Sequence, residues 1–122
     1  MKALVFGAGK IARGFVGQLL ELSGFETVFV DVNRELVQQL NETGVYTVHI
    51  LGEEKLNTWV RHYRAVCLDD IDAIRQAMEE ADLVFTSAGG KNLKSIGETA
   101  AKAFRRVGRE RVLDFITCGH WK

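Results

Sequence analysis

The period of apolar positions changes repeatedly along the chain, and each change marks an element. Residues 2–6, KALVF, form a short apolar run closed by glycine, the pattern of a buried strand. Ile11, Phe15, Leu19 and Leu22 then recur at helical spacing and predict a helix that buries them, with Gly24 as its stop. TVFVD at 27–31 reads as a second strand. Asn33 is a good N-cap for a helix carrying Leu36, Val37 and Leu40, which Gly44 can end. Residues 45–51 (VYTVHIL) and 56–67 (LNTWVRHYRAVC) read as strands around a polar Gly-Glu-Glu turn, paired at one side of the sheet.

The alternation then resumes. Asp69 or Asp70 caps a third helix whose buried stripe is Ile71, Ile74, Met78 and Ala81. DLVFTSA at 82–88 is a strand ending at Gly89-Gly90, and Leu93, Ile96, Ala100, Phe104 and Val107 give another helical face before VLDFIT at 112–117. Repeated βα units with short links imply an α/β fold of Rossmann type: a doubly wound, mainly parallel sheet with helices on both faces. The 122 residues suit one domain, 1–122, with no internal repeat, no proline and no linker.

Composition narrows the class of partner. The chain is 47% hydrophobic and 26% charged, and its 16 basic residues balance 16 acidic ones. Without a global field, neither nucleic acid nor an anionic membrane is expected as a partner, and any anion site must be local. Cys67 and Cys118 lack disulfide-framework or metal-ligand spacing, so no metal is expected and a reducing cytoplasm fits. The apolar start is broken at Gly7, far short of the roughly 20 residues of a membrane span, and carries no signal-peptide pattern.

The local anion site is the turn GAGKIARG at 7–14. Gly7, Gly9 and Ala12 occupy the fingerprint positions GxGxxG/A: Gly7 for the tight turn, Gly9 for close approach of a pyrophosphate, Ala12 for close helix–strand packing. Free amides at the helix start and the helix dipole favour phosphate there, with Lys10 as a nearby cation. Asp31 follows Ala12 by 19 residues at the end of the second strand, where a carboxylate accepts from ribose hydroxyls and repels a 2′-phosphate. NAD is therefore the expected cofactor. NADP is the minority reading, since Arg34 is close enough in sequence to reach a 2′-phosphate but is more simply a solvated residue of a helix's first turn.

Several stretches together resemble the N-terminal domain of the mannitol dehydrogenase family: MKALVFGAGKIARGFVGQLL at the start, DVN at 31–33, YTVHILGE at 46–53 and ADLVFTSAGGKNL at 81–93. The resemblance implies that Gly7, Gly9, Lys10, Ile11 and Asp31 line an NAD site, with Ala88 and Gly89 near its ribose. It implies an NAD-dependent dehydrogenase acting on a CH–OH group of a polyol phosphate, with mannitol 1-phosphate and fructose 6-phosphate as the leading pair. The family's catalytic lysine, asparagine and histidine belong to a second, mostly helical domain. No catalytic residue is therefore assigned in this chain, which is expected to bind cofactor without turnover and, lacking that cover, to self-associate. The chain departs from the family with Ala12 for glycine, Lys10 for asparagine, and Cys118-Gly119-His120 for Cys-Glu-Asn, so pyrophosphate contacts differ in detail.

The remaining candidates favour structural roles. Lys91 and Asn92 sit where a helix starts, and His49, His62 and His120 form no constellation with a nucleophile. A stand-alone nucleotide-sensing module of similar length is the alternative; the hairpin YTVHILGE and the turn TSAGG favour the dehydrogenase.

Overall fold

The computed structural model describes residues 1–9, 12–48, 58–86 and 98, together with the backbone of 114–117. Strands β1 (Lys2–Phe6), β2 (Glu26–Asp31), β5 (Tyr63–Cys67), β6 (Leu83–Thr86) and β7 (Asp114–Thr117) form one sheet in the order β5-β2-β1-β6-β7. Every pairing in it is parallel. The central strand is buried on both faces, Ala3 to Phe6 being at most 1% exposed, which is why it is apolar without alternation.

Crossover connections between the parallel strands place the helices. A helical segment of π turns (Ala12–Val16) continuing into α1 (Gly17–Leu22), and α2 (Arg34–Thr43), pack on the Ala3 and Val5 face of β1. The opposite face, with Leu4, Phe6 and Val84, receives α3 (Ile71–Glu80) through Ile74, Ala77 and Met78. The caps are those expected. Asn33 accepts from the Leu36 amide at 3.1 Å, Asp70 from the Ala73 amide at 3.2 Å, and α2 ends at Gly44. The expectations at 87–97, 99–113 and 49–57, including the helical face of Leu93, Ile96, Ala100, Phe104 and Val107, lie outside the described residues.

Two expectations are corrected. Residues 56–67 are not one strand: β4 (Thr58–Val60) pairs antiparallel with β3 (Tyr46–Val48) in a separate two-stranded sheet, and β5 joins β2 in the main sheet. The break falls at Arg61 and His62, whose backbone amides both donate to the Glu21 carboxylate of α1. The second correction concerns the first helix. Phe15, Leu19 and Leu22 are 59%, 51% and 67% exposed, while Ala12, Val16 and Leu20 face the sheet. Ala12 and Val16 are small enough to let the start of the helix approach the strands closely, and Phe15, Leu19 and Leu22 lie at the surface.

The hairpin is seated by aromatic contacts. Tyr46 of β3, Tyr63 of β5 and Phe29 of β2 meet pairwise with ring centroids 5.2–6.5 Å apart. At the sheet edge, Asn41 of α2 both accepts from the Ala65 amide and donates to its carbonyl at 2.8 Å. That carboxamide occupies hydrogen-bonding groups which another strand could otherwise recruit.

Glu21 therefore clamps α1 to the turn before β5. Burial alone would push its carboxyl pKa up, but the Arg61 and His62 amides and the His62 ring at 2.7 Å outweigh burial and hold it below its ordinary 4.5. A depressed carboxyl contributes stability above its unfolded pKa and loses it as pH falls through the folded one. Denaturant titrations at several pH values should thus show wild type losing stability below about pH 4.5 more steeply than Glu21→Gln. Parallel curves for the two proteins would remove the clamp.

Candidate functional site

The topology switches between β1 and β6: the chain leaves β1 toward β2 and leaves β6 toward β7, on opposite sides of the sheet. Ligands of open parallel sheets bind beyond the strand ends at such a point. The glycine turn lies there, at the carboxyl end of β1.

Gly7 has φ +105°, a conformation that a side chain would strain, and its amide donates to the Val30 carbonyl at 2.6 Å. The chain thus turns sharply while keeping one more bond to β2. Ala8 is buried, and its amide donates to Asp31 Oδ2 at 2.8 Å. Gly9 is exposed, and a Cβ built on it would meet no atom of the described residues beyond its chain neighbours within 4 Å. Packing among the described residues therefore places no demand for glycine at that position, and they leave the surface above it open to close approach. The Arg13 amide, in the helical segment that starts at Ala12, donates to the Gly9 carbonyl at 3.0 Å. Ala12 is 1% exposed against the sheet, as its small size suggested.

Asp31 is the carboxylate facing this turn. While Oδ2 holds the Ala8 amide, Oδ1 accepts from the Asn33 amide at 2.8 Å. An ionised carboxylate offers about four acceptor sites. Two are satisfied here and fix the group in place, so the others can accept from a ligand without rearrangement. Gly7, Gly9, Ala12 and Asp31 are thus brought together, while Lys10, Ile11, Ala88 and Gly89 lie outside the described residues.

Sequence reasoning missed what braces the turn from behind. The Tyr46 hydroxyl donates to the Arg13 carbonyl at 2.9 Å, in the π-helical stretch. Burial, foremost, pushes the Tyr46 pKa well up, so the hydroxyl stays protonated as that donor. Gly17 makes room for it, because a Cβ there would overlap the Tyr46 oxygen and lie 3.2 Å from Phe29. A glycine inside a helical pattern was the available signal. Its partner, some 30 residues away, was not legible. At the β6 end Thr86 is 3% exposed, and its hydroxyl has no partner among the described residues.

A second rim lies beside Asp31. Val32, Arg34, Cys67, Leu68 and Asp69 line a depression of about 280 Å³ at the carboxyl ends of β2 and β5. Among the described residues no group of His, Cys, Asp and Glu could hold a metal, and no helix is long and apolar enough to cross a membrane.

A family model described as the mannitol dehydrogenase Rossmann domain matches residues 1–121. The chain belongs to that family. Mannitol-1-phosphate 5-dehydrogenase of Caldanaerobacter subterraneus subsp. tengcongensis is 42% identical over 120 residues, covering 97% of this chain and 31% of the relative. The enzyme of the same description from Clostridium acetobutylicum is 43% identical with the same coverage. The chain thus spans about a third of the length of these curated relatives.

Solved structures bear out the fold at lower identity. A Rossmann-fold NAD(P)-binding family protein of Shigella flexneri superposes with TM-score 0.54 at 18% identity, over 92% of this chain and 49% of that one. A wide-type short-chain dehydrogenase/reductase of Veillonella parvula in complex with NADP gives 0.57 at 17% identity, over 95% and 46%. At such identities the likeness is one of fold, and the family assignment rests on the sequence matches.

Gly17→Ala should lower stability by about 1–3 kcal/mol through overpacking at Tyr46. Tyr46→Phe, which leaves the Arg13 carbonyl without its donor, should cost about 1 kcal/mol. Chemical denaturation of the two single variants and the double variant tests the contact: the double should be less destabilised than the sum of the singles, and strict additivity would disprove the coupling.

Proposed function

We propose that this chain is the NAD-binding domain, residues 1–122, of a polyol-phosphate dehydrogenase. The observation carrying the reading is the Asp31 carboxylate, held against the glycine turn by the Ala8 and Asn33 amides. Two spare acceptor sites suit the vicinal hydroxyls of an adenosine ribose. Swinging the group aside for a 2′-phosphate would break both backbone bonds, which favours NAD over NADP.

The open surface above Gly9 and the helix entry behind it fit a pyrophosphate. Lys10, Ile11, Ala88 and Gly89 complete the proposed set on the family resemblance. When bound, the nicotinamide supplies hydride chemistry. This chain's residues bind and orient the cofactor, and no catalytic role is proposed for them. Mannitol 1-phosphate and fructose 6-phosphate are the proposed substrate pair of the longer protein, from the names of the relatives. Polyol binding and proton transfer are assigned to the part of those relatives outside the match. A cytoplasmic location accords with this metabolic role.

Calorimetric titration of the chain should show NAD binding more tightly than NADP. Asp31→Ala should weaken NAD by roughly 10- to 100-fold, the worth of hydrogen bonds to a charged group. Equal affinity of wild type and variant would remove the ribose assignment, and no binding to wild type would remove the cofactor reading.

The outward stripe Phe15, Leu19 and Leu22 carries a second proposal, self-association of the isolated chain. Sedimentation velocity should show reversible association that Leu19→Lys weakens. A monomer at millimolar concentration would contradict it.

A further inference from the structure

Arg34 is the first residue of α2, where the helix dipole disfavours a cation. Its side chain crosses to the turn between β5 and α3 and forms an ion pair with Asp69. Backbone bonds hold that turn in place: the Leu68 amide donates to the Asp31 carbonyl at 3.0 Å, and the Asp70 amide to the Cys67 carbonyl at 3.0 Å. Asp70 is committed to capping α3, which leaves Asp69 as the carboxylate facing Arg34. Arg34 and Asp69 both line the depression next to Asp31. Among the described residues, Arg34 is thus a cation placed to meet a phosphate on a ribose held at Asp31, and it is already paired.

The geometry points to Asp69 as a positioning residue that sets cofactor choice. By engaging the Arg34 guanidinium and adding a negative charge to the rim, it withdraws the group that a 2′-phosphate would recruit. Discrimination against the phosphorylated ribose then rests on two carboxylates: Asp31, which faces the ribose directly, and Asp69, which acts through Arg34. This inference rests on the NAD reading above and extends it to the part of the cofactor that distinguishes the two nicotinamide nucleotides. The two side chains are 72% and 63% exposed, and pairs this open are weak. Asp69 therefore modulates a preference that Asp31 establishes, and its removal should change affinity by a few fold.

The test is calorimetry of wild type, Asp69→Asn, Arg34→Ala and the double variant with NAD, NADP, 5′-AMP and 2′,5′-ADP. The Asn variant keeps the shape of the turn and removes only its charge. It should bind NADP and 2′,5′-ADP about fivefold more tightly than wild type, with NAD and 5′-AMP within about twofold. Arg34→Ala in the same background should abolish the gain, which a general loosening of the turn would not reproduce. An unaltered NADP affinity in Asp69→Asn, or a gain that survives loss of Arg34, overturns the role of Asp69 while leaving NAD binding intact. A wild-type chain that binds none of the four compounds overturns both this inference and the cofactor reading.

Discussion

The carboxylate of Asp31 ties together parts of the chain that no regular element connects. One oxygen holds the amide of Ala8 in the turn after β1, and the other holds the amide of Asn33, the cap of α2. Loss of the carboxylate would leave the buried Ala8 amide without this acceptor and release the start of α2 from the end of β2. A buried donor without an acceptor costs about 1–3 kcal/mol, a sizeable part of a small domain's stability. The constraint that shapes the turn is therefore the one that aims the carboxylate.

The back of the same turn is governed by close packing. Gly17 has no side chain, so the Tyr46 hydroxyl reaches the Arg13 carbonyl and the hairpin β3–β4 seats on the helical segment. Phe29 and Tyr63 fill the space around it. Glu21 draws the other end of that segment to the amides preceding β5. The helical segment that follows the glycine turn is thereby held at both ends, although Ala12–Val16 is π-helical. Asp69 and Arg34 add an exposed pair on the neighbouring rim, where they alter charge and leave the packing unchanged.

Much of this was legible locally. KALVF announced a buried strand, Asn33 and the pair Asp69-Asp70 announced helix starts, the structure choosing Asp70, and the acid 19 residues after Ala12 lies at the end of β2. Each rests on a residue and its near neighbours, because periodicity and capping are properties of a few successive turns. The failures came where two local answers competed. In the first helix both Ile11-Phe15-Leu19-Leu22 and Ala12-Val16-Leu20 satisfy helical spacing, and hydrophobicity favours the bulkier set. The strands selected the smaller set because it permits closer approach. In 56–67 a continuous β-rich pattern hid a break whose Arg61 and His62 amides are satisfied by the Glu21 carboxylate, some 40 residues earlier.

By itself, the sequence determined the alternation of strands and helices, the glycine turn, the acid that follows it and the family resemblance, since short-range sterics and residue spacing suffice for each. Tertiary structure alone decided which helix face is buried, that the hairpin stands apart from the main sheet, that Tyr46 braces the turn through Gly17, and that Arg34 is paired with Asp69. Those outcomes depend on groups some 30 or more residues apart. They become neighbours only when the parallel sheet stacks its strand ends, and their contact energies have no counterpart in the local pattern of the chain.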